Sequence, residues 1–270
     1  MSRLSARLLA YVALAASLAA GGCSMTARNG ASPEVTGSIA SAATPRTDAD
    51  WRREMNVWGE RYRAKPADPD AAMHYAQALR AVGQRAQAAA VLEQSAIHNP
   101  QNRAVLGAYG RALADNGNFQ QALDILNRAH TPDQPDWQIL SVQGAVLDQM
   151  GRHKAAQEHY ASALRLKPNE PSVLSNLGLS YALSKDLPRA ETTLRQAVAQ
   201  RGAEPKIRQN LALVVGLQGR FDEAESIARG DLSPQEAAAN VAYLRQMLAE
   251  GSDWKKHQRR GAALSSPTRS

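Results

Sequence analysis

The sequence predicts an all-α solenoid of antiparallel helix pairs, and three ladders of small residues predict it. Ala88, Ala122, Ala156, Ala190 and Ala224 stand 34 residues apart. Gly83, Gly117, Gly151 and Gly219 keep the same interval, with Lys185 occupying the one remaining step. Ala76, Gly110, Gly144, Gly178 and Ala212 run in register with both. No insertion or deletion interrupts them. A period of this length marks one supersecondary unit that buries its apolar face only against its neighbours.

The chain of 270 residues opens on Arg3 and Arg7, then an apolar run from Leu8 to Ala20. A charged start and a short apolar core describe a secretory signal over residues 1–22, and the run is too short to span a bilayer as a helix. Gly21-Gly22-Cys23 at the end of this core resembles the bacterial lipobox, which implies acylation of Cys23, the sole cysteine of the chain. The alternative is ordinary secretion with Cys23 left as an unpaired thiol. Ser24 follows Cys23 where an aspartate would be the inner-membrane retention signal, so the resemblance implies the outer membrane, on its periplasmic face. Residues 23–49 are mostly small and polar and read as a flexible tether.

Residues 50–68, with Trp51, Trp58 and Tyr62 ending at Pro66, read as a half-repeat: a lone second helix shielding the first unit, with Trp58 at its large-residue position. Five units follow over 69–238, starting at Pro69, Arg103, Trp137, Pro171 and Pro205. Proline suits the opening of a helix, where its missing N–H is no loss. In each first helix, A, a small residue lies between two large ones, as in Tyr109-Gly110-Leu113, so that the second helix, B, can approach closely. The glycines at 83, 117, 151 and 219 fall where helix A ends and a left-handed residue is needed. The alanines at 88, 122, 156, 190 and 224 fall at the A/B crossing, and Leu92, Leu126, Tyr160 and Leu194 lie one turn on. Ser233-Pro234-Gln235-Glu236 is a capping box opening a terminal helix over 234–250, with Val241, Leu244 and Leu248 on one face. Ala228 and Asp231 leave the last unit weak, so it is expected to lean on this cap. Residues 251–270 read as a basic disordered tail.

This pattern resembles the tetratricopeptide-repeat family, which implies a right-handed superhelical array whose A helices line a concave, protein-binding surface. The resemblance places Asn176 and Asn210, Leu179 and Leu213, and Leu183 and Leu217 on that surface in units four and five. Asparagine amides can donate to and accept from an extended peptide, and leucines can take its apolar side chains. The other reading is that the asparagines bond the neighbouring helix while the leucines pack beneath the cap. Arg80, Arg111 and Lys206 also point into the groove, without reproducing the carboxylate clamp of some members.

The formal net charge is +7. Two of the positive charges, Arg3 and Arg7, lie in the signal, and Lys255, Lys256, Arg259, Arg260 and Arg269 face only Asp253 in the last twenty residues. The array itself is therefore close to neutral, unlike the basic face of a nucleic-acid binder. The tail is read as a solubilising end, with contact to anionic lipid or an acidic partner as the alternative. No catalytic constellation, metal-ligand spacing, phosphate loop or cofactor motif occurs. His153 and His159 are expected on the surface. Not an enzyme but a binding protein is the expectation, with other proteins as partners and no nucleic acid or small-molecule substrate.

The layout of signal, cysteine, tether and array, together with Asn240-Val241-Ala242-Tyr243-Leu244-Arg245, resembles the TadD lipoproteins of tight-adherence (Flp) pilus assembly. The resemblance implies a pilotin-like role toward an outer-membrane secretin. The alternatives are a type IV pilus pilotin, an outer-membrane protein assembly lipoprotein, an adaptor for peptidoglycan enzymes, and a secreted regulator in which Cys23 is not acylated.

Overall fold

Proline and capping side chains start the helices where the 34-residue register puts them. A computed structural model describes residues 47–264, with side chains as far as Glu250. Among them α1 (Asp48–Ala64) precedes the five A/B pairs. These are α2 (Pro69–Ala81) with α3 (Arg85–His98), α4 (Arg103–Asp115) with α5 (Phe119–Ala129), and α6 (Trp137–Gln149) with α7 (His153–Leu166). The last two pairs are α8 (Pro171–Leu183) with α9 (Leu187–Val198), and α10 (Pro205–Leu217) with α11 (Phe221–Ala228). α12 (Pro234–Leu264) closes the array. Asp68, Asn102 and Asp136 accept backbone N–H groups of the first turns of α2, α4 and α6, at 2.9, 3.1 and 2.7 Å for the nearer donor. Glu170 and Glu204 make no such bond at α8 and α10, where Pro171 and Pro205 open the helix.

The two small-residue ladders inside the helices pack against each other. The five ladder alanines are all fully buried. A Cβ on Gly110 would stand 2.5 Å from Leu126, one on Gly144 2.7 Å from the Tyr160 ring, and one on Gly178 2.6 Å from Leu194. Each glycine therefore receives the large residue of its own helix B, and any side chain there would push the pair apart. The helix-end ladder has a different cause. Gly117 has φ of 82° with no atom near where a Cβ would lie, so the constraint is backbone conformation alone. Lys185 takes the same conformation at φ of 69°. The cap bonds repeat as well: Asn118 N–H donates to Leu113 at 2.9 Å, and Asp186 N–H donates to Tyr181 at 2.9 Å.

The ends differ from the sequence expectation in two places. Trp58 is only half-buried, whereas Leu92, Leu126 and Leu194 are sealed, because among the described residues no helix A precedes α1 to cover that position. Its ring stacks instead on His74 of α2, with centroids 4.2 Å apart. At the other end the helix does not stop at residue 250. It runs to Leu264, so the first part of the segment expected as a disordered tail is helical. Gly251 and Gly261 do not break a run that also carries two lysines, two arginines and two alanines. The capping box forms: Ser233 N–H donates to Glu236 Oε2 at 3.0 Å and Glu236 N–H to Ser233 Oγ at 3.3 Å. Residues 1–22 and Cys23 lie outside the described residues, as does the tether apart from its last three positions.

α12 completes the weak fifth unit. Its Leu244 occupies the space beside Gly216, where a Cβ would come within 2.5 Å, and its Ala237 packs with Ala212 and Ala228.

Candidate protein-binding face

Neighbouring A helices touch one another in the order α2, α4, α6, α8, α10, while successive B helices make no comparable contact. The A helices therefore form a continuous inner wall, and the B helices stand further apart on the outside. Side chains pointing from the A wall away from the B helices are the ones a partner would meet.

Along that wall the chemistry changes from unit to unit. At the N-terminal end Arg80 Nε donates to Asp115 Oδ2 at 2.5 Å, joining α2 to α4. Arg111, also on α4, is exposed and forms no hydrogen bond or ion pair among the described residues. Burial of its surroundings lowers its pKa, and the nearby Arg80 charge lowers it further, against the opposite pull of Asp115 and Asp136.

In the middle of the wall the structure holds a buried cluster that the sequence did not announce. Asp148, on α6, is 6% exposed and binds three groups from the two following helices, α7 and α8. His153 Nδ1 lies 2.9 Å from Oδ1, Ser180 Oγ donates to the same oxygen at 2.8 Å, and Tyr160 OH donates to Oδ2 at 3.2 Å. Burial raises the Asp148 pKa despite those three bonds. His153 is thus not a free surface histidine as expected, because an aspartate on the adjoining helix A draws it in. His159 also departs from expectation: it is half-buried, its Nδ1 is sealed without a partner, and burial followed by the neighbouring His130 lowers its pKa. Ser180 is fully buried and its hydroxyl is engaged by the Asp148 carboxylate, so this cluster clamps unit three to unit four. The signal available in the sequence was Asp148 itself, a charge inside the apolar stretch of α6, with Tyr160 where units one, two and four carry leucine.

The C-terminal end of the wall carries the six residues expected to form a groove. Asn210 Nδ2 donates to Ser175 Oγ at 3.0 Å, and Asn176 Nδ2 donates to Ser141 Oγ at 3.4 Å. The same stitch thus repeats one unit apart, α10 to α8 and α8 to α6. These amides hold neighbouring A helices together, as the second sequence reading had it, and are not turned wholly to a ligand. The leucines behave differently. Leu179, Leu183, Leu213 and Leu217 are half-buried, and none belongs to a cluster of the buried core. By register they stand two by two, at the ninth and thirteenth positions of the adjacent helices α8 and α10, an apolar patch of the inner wall.

Comparison with known proteins places the repeats. Residues 79–144 and residues 142–205 each match a family model described as tetratricopeptide repeat. The uncharacterized protein y4yS of Sinorhizobium fredii (strain NBRC 101917 / NGR234) is 34% identical over 104 residues, covering 38% of this chain. The match spans 57% of that relative's length. Among solved structures, PilW, a widely conserved type IV pilus biogenesis factor, aligns at TM-score 0.62 and 15% identity, over 72% of this chain and 91% of PilW. A thermophilic tetratricopeptide protein of Thermus thermophilus aligns at TM-score 0.58 and 23% identity, over 66% of this chain and 100% of its own. The pilF protein of Pseudomonas aeruginosa aligns at TM-score 0.54 and 17% identity, over 72% and 90%. At these identities the likeness is one of fold.

Proposed function

We propose that this chain is a lipid-anchored periplasmic scaffold for assembly of a tight-adherence (Flp) pilus or secretion machine, acting in a pilotin-like way on the outer-membrane secretin. Its tetratricopeptide repeats, set in an all-helical solenoid, are a scaffold for protein–protein contact. The observation that carries the binding role is the half-buried leucine patch on α8 and α10, apolar surface on the inner wall that no core cluster claims. The anchor rests on the apolar run, Gly21-Gly22 and the sole cysteine, Cys23. The choice of machine rests on the tight-adherence resemblance. Likeness in fold to PilW and pilF supports a pilus-biogenesis role, and favours a type IV pilus pilotin as the second reading.

Two measurements test this. A lipid analogue fed to cells should label the protein and not its Cys23→Ser variant; label retained on the variant ends the anchor. Replacing Leu179 and Leu213 together by serine should abolish co-purification of the secretin multimer from detergent extracts. Both side chains are half-buried, so the circular-dichroism melt should change little. Unaltered co-purification with this variant overturns the patch as the docking face.

A further inference from the structure

The ninth positions of the A helices make a single row along the inner wall. From unit one to unit five they are Gln77, Arg111, Ala145, Leu179 and Leu213. Packed helices lie about 8–10 Å apart, so the row advances by roughly that distance per unit. An extended chain rises about 3.3 Å per residue and covers one step in about three residues.

Arg111 is the unmatched charge in this row. Each carboxylate that faces it is already engaged. Asp115 accepts from Arg80 at 2.5 Å. Asp136 accepts from the N–H groups of Gln138 and Ile139 at 2.7 and 3.3 Å, capping α6. Arg80, the other cation beside it, is held by Asp115. Two leucines, then a small residue, then a free guanidinium therefore follow one another along the wall.

We propose that the partner segment is an extended peptide bearing an internal acidic side chain, which pairs with Arg111 while two apolar residues sit on Leu179 and Leu213. The apolar residues stand about three apart, and the acidic residue lies about six beyond the nearer one. Ala145 leaves room for the backbone to pass between. The inference rests on the reading of the A-helix wall as the docking face. The forked guanidinium suits a carboxylate, and a charge-assisted bond of this kind, partly shielded from water, supplies specificity more than bulk affinity.

The test uses the full-length chain and an array of peptides with both termini capped, each carrying two leucines three apart and one aspartate two to ten residues away. Binding should peak near a spacing of six, fall about tenfold when the aspartate becomes asparagine, and fall equally with Arg111→Gln. Arg111→Gln should not weaken the asparagine peptide further. Equal binding of aspartate and asparagine peptides, or equal weakening of both by Arg111→Gln, overturns the pairing while leaving the leucine face intact. Binding that requires a free C-terminal carboxylate rather than the side chain also overturns it. A wild-type chain that melts cooperatively as a folded protein yet binds none of the leucine peptides overturns the docking face itself.

Discussion

Lys185 holds a backbone conformation that its four counterparts reach with glycine. Its φ of 69° closes the same cap, with its own N–H donating to Ala182 at 3.0 Å. A residue with a Cβ pays about 1–2 kcal/mol for that geometry, whereas glycine adds roughly 0.5–1 kcal/mol of unfolded-state entropy. Lys185→Gly is therefore expected to stabilise the array by about 0.5–1 kcal/mol in a denaturant melt. Gly117→Ala, where no atom lies within 4 Å of the new Cβ, should destabilise it by about 1 kcal/mol on conformation alone. A pair of unchanged melts would mean that these caps relax without strain. The break in the glycine ladder was plain in the sequence, and so was the need for a left-handed residue, since both follow from spacing. What Asn176 and Asn210 touch was not legible. An asparagine one step along the ladder from another serves a seam or a ligand equally well. Only the placement of Ser141 and Ser175 across the A-helix contact decides for the seam.

Helices were legible wherever a local signal sets their ends. Proline or a capping Asp or Asn opens all five A helices, and the register fixes the crossing with B through Gly110, Gly144 and Gly178. The end of α12 was not legible, because the residues after Glu250 lack a stop signal stronger than Gly251. Contacts among helices were the least visible, and Asp148 is the instance with consequences. It ties α6, α7 and α8 through Tyr160, His153 and Ser180. Because burial raises its pKa in the fold, the folded state holds a proton that the unfolded chain releases near its ordinary value of about 3.9. Where the folded state binds more protons, stability falls as pH rises. The Asp148 contribution is thus greatest below its unfolded pKa and declines as pH climbs through the raised folded value, then levels off. Asp148→Asn removes this titration. Thermal melts of wild type and variant from about pH 3 to 7 should show a wild-type-minus-variant difference that moves against the wild type with rising pH. A difference that moves the opposite way would show that the three hydrogen bonds outweigh burial.

The array as a whole is a chain of nearest-neighbour interfaces, and its core is not evenly shared. One large cluster of buried side chains runs from Ala72 on α2 to Leu177 on α8. A second, smaller one begins at Ala190 on α9 and ends at Val241 on α12, with Tyr181 packed against both. In such an array stability is close to a sum of unit and interface contributions, so damage at one end stays near that end. α11 has only 8 residues and presents Ala228 where units one, two and four carry leucine and unit three carries Tyr160. Unit five therefore depends on Ala237, Val241 and Leu244 of α12, all buried. Burial of a valine or leucine contributes about 1.5–3 kcal/mol, so ending the chain after Gly230 should remove several kcal/mol from unit five. Amide hydrogen exchange should then show protection lost through α10 and α11 and kept through α4, α5 and α6, inside the larger cluster. The leucine patch on α10 would lose its support with them, and binding should fail while most of the array stays folded. Uniform loss of protection from α2 to α11 would instead make the array one cooperative unit, with the two clusters acting as a single core.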